Sequence, residues 1–331
     1  MLHGGDISIA IKAFGGETTD WLDLSTGINP TPYPIPNITG AAWQHLPTKV
    51  AQQQLLHAAR QAYAVPQTAG IAAASGTQAL IQLLPQLLPF RRVEVVGPTY
   101  ASHAESWRAA GRDVHLTAQL TTPQSPTLQI TVNPNNPDGR IHQPEALAAH
   151  ANTLSPSGSM LLVDEAYTDL APELSLAPYV VDAPLLLLRS FGKFFGLAGL
   201  RLGFLIGSPA ICKAAEAQLG SWAIAGPALE IGAKALSDTL WQHQMRHKLR
   251  QRTKELHLCL QQHQLRIIGS TNLFTLIEHQ QAKQLHRHLA QQHIWTRHFD
   301  YDATWLRIGL PKDTAKIARL GEALAGFEKG C

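Results

Sequence analysis

Short, mostly apolar runs punctuate the middle of the chain: Ile71 to Ala74, Arg92 to Val96, Leu128 to Val132, Met160 to Val163, Leu185 to Leu188 and Gly203 to Ile206. Runs of this length, bounded by turn-forming residues, predict strands covered on both faces. Between them the apolar positions switch to helical spacing. Val50, Leu55, Ala58 and Ala62 predict a helix over Thr48–Ala64 that Pro66 stops, and further helices follow at Ala79–Leu84, through Trp107 and over 144–152. Strands alternating with helices predict an α/β fold with a mostly parallel sheet. Helical segments then run to about residue 264, and the basic, Gln-rich stretch Met245–His263 reads as an exposed helix face. The last part mixes strand-like pieces (Arg266–Ile268, Leu273–Ile277, Leu306–Ile308) with helices over 282–292 and 313–327, which suits a small α+β domain. Residues 1–40, rich in Gly, Pro, Thr and Asn and with little helical period, read as an arm that can bury Trp21, Leu22 and Ile28. The expected organisation is an arm over 1–40, a large domain over 41–240 and a small C-terminal domain over 241–331.

Polar residues gather just past the predicted strand ends, where open α/β sheets bind ligands. The turn Ser75-Gly76-Thr77-Gln78 leads from a strand into a helix, so it aims free backbone amides and the positive end of the helix dipole at an anion such as a phosphate. Lys193 follows Leu185–Leu188 and Ser190, among Phe191, Phe194 and Phe195. An amine held there among apolar neighbours suits Schiff-base chemistry with a carbonyl.

At 331 residues the chain is long enough for one large domain and a smaller one. A net charge of +3, spread thinly, argues against a nucleic-acid partner, and the 16 histidines are scattered rather than spaced as metal ligands. Cys212, Cys259 and Cys331 are odd in number and far apart, as expected for reduced thiols in a cytoplasm. The N-terminus lacks a basic-then-apolar signal region, and no apolar run approaches the roughly 20 residues of a membrane helix, so a soluble cytoplasmic protein is expected.

In order, the chain carries SGTQ, GPTY, NPNNPDG, VDEAY, SFGK, GLRLG and LRIGLP. Together these closely resemble the fold type I pyridoxal-phosphate enzymes, the aspartate aminotransferase superfamily, over nearly the whole chain. Within it the chain is similar to the histidinol-phosphate aminotransferase branch, and HGGD with the DLSTGINP arm resembles the threonine-phosphate decarboxylases of cobalamin biosynthesis. The resemblance implies an aspartate-aminotransferase-like fold, a large domain with a mostly parallel sheet plus a small α+β C-terminal domain, and a homodimer. It implies pyridoxal 5'-phosphate linked to Lys193, which also moves the proton at the substrate carbon. Asp164 would face the pyridine nitrogen, Tyr167 and Asn136 the ring's 3-oxygen, and Tyr100 the ring face. Gly76, Thr77, Gln78, Ser190 and Arg201 would hold the cofactor's phosphate. Arg307 would clamp the substrate carboxylate, and Arg297, His3 and Asn29 the phosphate of a phosphorylated amino acid.

Two features depart from the family's pattern. Relatives carry S-x-[ST]-K, whereas Gly192 precedes the lysine here, so one phosphate donor is missing. A Tyr-Pro dipeptide that reaches across the dimer in relatives is His45-Leu46-Pro47 in this chain. The reaction implied is decarboxylation of L-threonine O-3-phosphate, with histidinol-phosphate transamination as the alternative, because both would use the same cofactor residues. A regulator built on this fold would need an N-terminal DNA-binding domain, for which the arm leaves no room.

Overall fold

The computed structural model describes residues 4–328. It divides into two compact units, one made of the chain up to Thr31, Pro137–Gly139 and the chain from His243, the other of Pro32–Asn136 and Arg140–Gln242.

The second unit is built on seven strands: β1 (Gly70–Ala74), β2 (Arg92–Val96), β3 (Asp113–Thr117), β4 (Thr127–Val132), β5 (Met160–Asp164), β6 (Leu185–Ser190) and β7 (Gly203–Gly207). They lie in the order β1-β7-β6-β5-β4-β2-β3. All pairs are parallel except those of β7, which runs antiparallel to both β1 and β6. Each apolar run of the sequence is a strand, and Leu186, Leu187 and Leu188 have no exposed surface, as befits strands covered on both faces. β3 was not foreseen. It is an edge strand whose alternating Asp113, His115 and Thr117 form no apolar run, and Leu116 is exposed.

Helices cover the sheet. Leu80, Ile81 and Leu84 of the helix Thr77–Leu87 pack with Trp107, Val93, Leu128 and Leu186 into one core. The helix Lys49–Ala62 starts at Thr48, whose hydroxyl accepts the Ala51 N–H at 3.1 Å, a normal N-cap. Its buried stripe is Leu55, Ala58 and Ala59; Val50, expected on that stripe, is exposed.

The first unit holds an antiparallel sheet of β8 (Arg266–Thr271), β9 (Phe274–Glu278), β10 (Arg297–His298) and β11 (Trp305–Gly309), in the order β10-β11-β9-β8. Helices Ala282–Gln291 and Thr314–Glu328 accompany it. The long helix Thr239–Gln262 is more amphipathic than its basic composition suggests, because Met245, Leu249, Leu256 and Leu260 are buried. The arm is not irregular throughout: Ser8–Phe14 is a helix, ended by Gly15 at φ 78°. Two turns are too short to show a period in the sequence. Ala10 packs with Trp21 and Ala290, and Leu22–Asp23 pairs in parallel with Ile294–Trp295. Trp21 and Leu24 of the arm are buried, whereas Leu22 and Ile28 are only half-buried. Among the described residues no helix is long and apolar enough to cross a membrane.

Candidate active site

The carboxyl ends of the strands β1, β4, β5 and β6 converge on a cavity of about 160 Å³. Every residue that the sequence assigned to the cofactor lines it: Gly76, Thr77 and Gln78 after β1, Tyr100 after β2, Asn136 after β4, Asp164 and Tyr167 at and after β5, and Ser190, Lys193 and Arg201 at and after β6. Residues scattered over more than a hundred positions meet because a parallel sheet brings all its strand ends to one side.

One end of the cavity is built for an anion. Gly76 has φ 86° and ψ 158°, a conformation open to glycine and few others, and it delivers the chain into the helix Thr77–Leu87 with the first amides unbonded inside the helix. A side chain on Gly76 would meet the Arg201 guanidinium, whose Nη2 lies 2.7 Å from the position of such a Cβ. Arg201 itself is held in a left-handed conformation, φ 54°, and its Nη1 donates to the Ala198 carbonyl at 3.1 Å. A guanidinium over a helix N-terminus, with the Ser190 side chain on the same cavity, is the donor set that a phosphate requires. Gly192 leaves no room for the hydroxyl that relatives carry there, since a Cβ would stand 2.8 Å from the Ala198 Cα.

The opposite chemistry sits at Asp164. This carboxylate is buried, with 4% exposure. Its Oδ1 accepts the Ala166 N–H at 3.0 Å and its Oδ2 faces His103 Nε2 at 2.9 Å. His103 has no exposed surface, and its Nδ1 finds no partner among the described residues. An ionised Asp164 therefore sets the imidazole to the Nε2–H form, and a buried negative charge is available for a protonated ring nitrogen. Sequence reasoning missed His103. Its one signal is position: three residues after Tyr100, at the start of the helix Ser102–Ala109, where the two rings meet edge to face at 6.1 Å. Tyr100 donates its hydroxyl to Gln78 Oε1 at 3.1 Å, and the Lys193 Nζ stands 5.9 Å from the centre of the Tyr167 ring.

The lysine's support is aromatic. Phe191, Phe194 and Phe195 around it are fully buried. Phe195 stacks on Phe191 at 4.3 Å and on Trp241 at 5.7 Å, and its carbonyl accepts the Tyr33 N–H at 2.8 Å. A single turn of helix, Phe191–Phe194, would not hold itself without such packing.

Of the residues assigned to substrate, Asn29, Arg297 and Arg307 lie in the first unit. Arg297 of β10 and Arg307 of β11 are direct cross-strand partners, so both side chains leave the same face of the sheet. Arg307 is buried, donates from Nη2 to the Ser25 carbonyl at 2.6 Å and lies 5.2 Å over the Phe274 ring. Arg297 lies 5.8 Å over Phe299, and burial lowers its proton affinity. Asn29 is buried and accepts the Thr31 N–H at 2.9 Å. His3 lies outside the described residues.

An anion cradle of Gly76, Thr77, Gln78, Ser190 and Arg201, a buried carboxylate and a lysine on one cavity fit pyridoxal phosphate at its phosphate, its ring nitrogen and its aldehyde. Comparison with known proteins agrees. Residues 44–324 match the aminotransferase class I and II family. Threonine-phosphate decarboxylase of a Sinorhizobium species is 44% identical, over 99% of this chain and 98% of its own, and that of Pseudomonas aeruginosa is 40% identical over the same shares. The solved structure of histidinol-phosphate aminotransferase from Sinorhizobium meliloti in complex with pyridoxal-5'-phosphate superposes with a TM-score of 0.84 at 19% identity, covering 99% of this chain and 96% of the other. The chain belongs to the aminotransferase class I and II family, and pyridoxal phosphate is its cofactor.

Proposed function

We propose that this chain removes the α-carboxyl group of L-threonine O-3-phosphate as CO2, leaving (R)-1-amino-2-propanol O-2-phosphate, a step of cobalamin biosynthesis. The observation that carries this reading is the 44% identity, along 99% of the chain, with a relative named for that reaction. Pyridoxal phosphate, when bound, would supply an electron-accepting ring, so the electrons of a bond broken at the substrate Cα would have somewhere to go. The protein's residues set up the rest. The amides of Gly76, Thr77 and Gln78, the Ser190 hydroxyl and the Arg201 guanidinium anchor the phosphate end. Asp164, braced by His103, would hold the proton on the ring nitrogen, Tyr167 and Asn136 would bind the 3-oxygen, and Tyr100 would cover the ring face. Lys193 binds the cofactor in the resting enzyme, and its Nζ delivers to Cα the proton that takes the place of the departing CO2.

For the substrate, Arg307 binds the carboxylate, and Arg297, Asn29 and His3 bind the phosphate. Arg297 and Arg307 leave one face of their sheet from directly opposed positions, so that face offers two guanidinium groups to a substrate with a carboxylate at one end and a phosphate at the other. We also place the enzyme in the cytoplasm as a homodimer. Ile35, Trp43, Leu46 and Val50 are 65%, 70%, 64% and 62% exposed, more large apolar surface than a short stretch of monomer surface ordinarily leaves open. Cys212 and Cys259 are buried free thiols, and burial pushes Cys212 up to about 12, where it stays protonated.

The test is to incubate the holoenzyme with phosphothreonine alone, and separately with histidinol phosphate and 2-oxoglutarate, following CO2 and glutamate. The reading expects CO2 in the first mixture. Glutamate in the second with no CO2 in the first would make the chain an aminotransferase.

A further inference from the structure

A buried ion cluster lies behind the cavity. Arg189 donates from Nη1 to Glu165 Oε2 at 2.7 Å and from Nη2 to Asp169 Oδ1. Glu165 also accepts the Leu176 N–H at 2.6 Å and the Ser175 hydroxyl at 3.0 Å, and the guanidinium lies 4.3 Å over the Tyr63 ring. Arg189, Glu165 and Asp169 are 2%, 1% and 5% exposed. None of them lines the cofactor cavity.

Each member is the near neighbour of a residue that does. Glu165 follows Asp164, Arg189 precedes Ser190, and Asp169 comes two after Tyr167. Side chains alternate across a strand, so the residue beside a cavity-facing one points to the other side of the sheet end. The cluster is thus the reverse side of the site. Desolvating three charges is expensive, and packed apolar residues of similar volume would hold the sheet at least as well, so such a cluster is poorly explained by stability alone.

What it does fix is position. Asp164 and Ser190 belong to paired strands, and the pairing of β5 with β6 continues to the Glu165 N–H bond to the Leu188 carbonyl at 2.8 Å. Tyr167 stands two residues past that bond and leads into the 3-10 turn Thr168–Leu170. The pair Asp169–Arg189 ties this turn to the end of β6.

We infer that the Arg189–Asp169 pair, with Glu165 orienting the guanidinium, is a positioning device that aims Tyr167 at the cofactor. The inference rests on the role given to Tyr167 under the proposed function. Asp169→Asn keeps the side chain's shape and loosens the tie. A misplacement of about 1 Å can cost on the order of 100-fold in rate, so a partial loosening should cost roughly 10-fold in kcat with KM changed less than about twofold. It should also shift the pH midpoint of the bound cofactor's absorbance.

The decisive experiment is a double-mutant cycle in the holoenzyme, with wild type, Asp169→Asn, Tyr167→Phe and the double variant. The expected result is that Asp169→Asn costs less than about twofold once Tyr167→Phe is present. Equal losses in both backgrounds, or no loss in either, overturn the inference while leaving the role of Tyr167 intact. A silent Tyr167→Phe overturns that role and the inference with it. Should Asp169→Asn not fold, the triple replacement Glu165→Met, Asp169→Leu, Arg189→Met leaves no uncompensated charge. It should melt no lower than wild type yet lose kcat in the same way, and full kcat in that variant also overturns the inference.

Discussion

Gly76→Ala separates the cost of folding from the cost of holding the cofactor. The substitution has two effects. At φ 86° and ψ 158° an alanine is strained, on the order of 1–3 kcal/mol, whatever space surrounds it. Its Cβ would also lie 2.7 Å from Arg201 Nη2. That atom ends a flexible side chain, so the clash is relieved by moving the guanidinium, at little cost to the fold but away from the phosphate position. A lost charge-assisted hydrogen bond is worth about 1.5–3 kcal/mol, which is roughly 10- to 100-fold in affinity. Titration of apoprotein with pyridoxal phosphate, followed by absorbance, should show that weakening, and urea unfolding of the same apoprotein should show the strain. Arg201→Ala should weaken binding by a similar factor, and the double variant should add little, because both substitutions remove one contact. Cofactor affinity within twofold of wild type in Gly76→Ala would refute the cradle.

Lys193→Ala should abolish covalent attachment, so borohydride treatment followed by gel filtration should leave protein without reduced cofactor; cofactor retained there would remove Lys193 from its role. Asp164→Asn should lower kcat by at least about 100-fold with little change in KM, as for a charge acting mainly in the transition state, and steady-state CO2 release measures it. His103→Leu should cost less, roughly 10-fold, while shifting the pH midpoint of the cofactor's absorbance, and a wild-type profile would show that the 2.9 Å contact with Asp164 has no influence on the ring. Burial, with His298 and Arg297 nearby, pushes His286 down to about 4. The unfolded chain takes up a proton below about 6.5 that the folded chain refuses until about 4, so stability is intact above that window and falls as the pH drops through it, by about 3 kcal/mol at most. His286→Gln should flatten the dependence in urea melts at pH 7, 5.5 and 4.5, and an unchanged slope would contradict the assignment.

The large unit's strands could be read from the sequence because burial on both faces leaves apolar runs with nothing else in them. That the polar residues of the motifs share one cavity could be read for a related reason, since polar groups placed just past such runs all come to one side of a parallel sheet. β3 had no such signal, because an edge strand half in water alternates like a loop. His103 was hidden because its partner lies 61 residues away, and the stretch Ser102-His103-Ala104 looks like any helix start. Arg189, Glu165 and Asp169 were hidden more deeply. Charged residues next to motifs look solvated in a sequence, and only the fold shows that they face one another inside it.

β1 has one neighbour in its sheet, β7, and the two are separated by about 130 residues of chain. A Cβ on Gly203, where β7 begins, would stand 2.6 Å from the Thr77 nitrogen, so the anion cradle is the place where these distant ends close. A ribosome adding roughly 5–20 residues per second has Gly76 exposed for many seconds before Arg201 and Gly203 exist. The cradle is therefore the last seam of this sheet to be sewn, and no nascent chain shorter than β7 completes it. A ligand that binds only the closed form holds that seam shut by mass action, with a gain that grows with its concentration over its dissociation constant. Cofactor supply during synthesis then bears on how much chain reaches the native state, as well as on how much of it turns over.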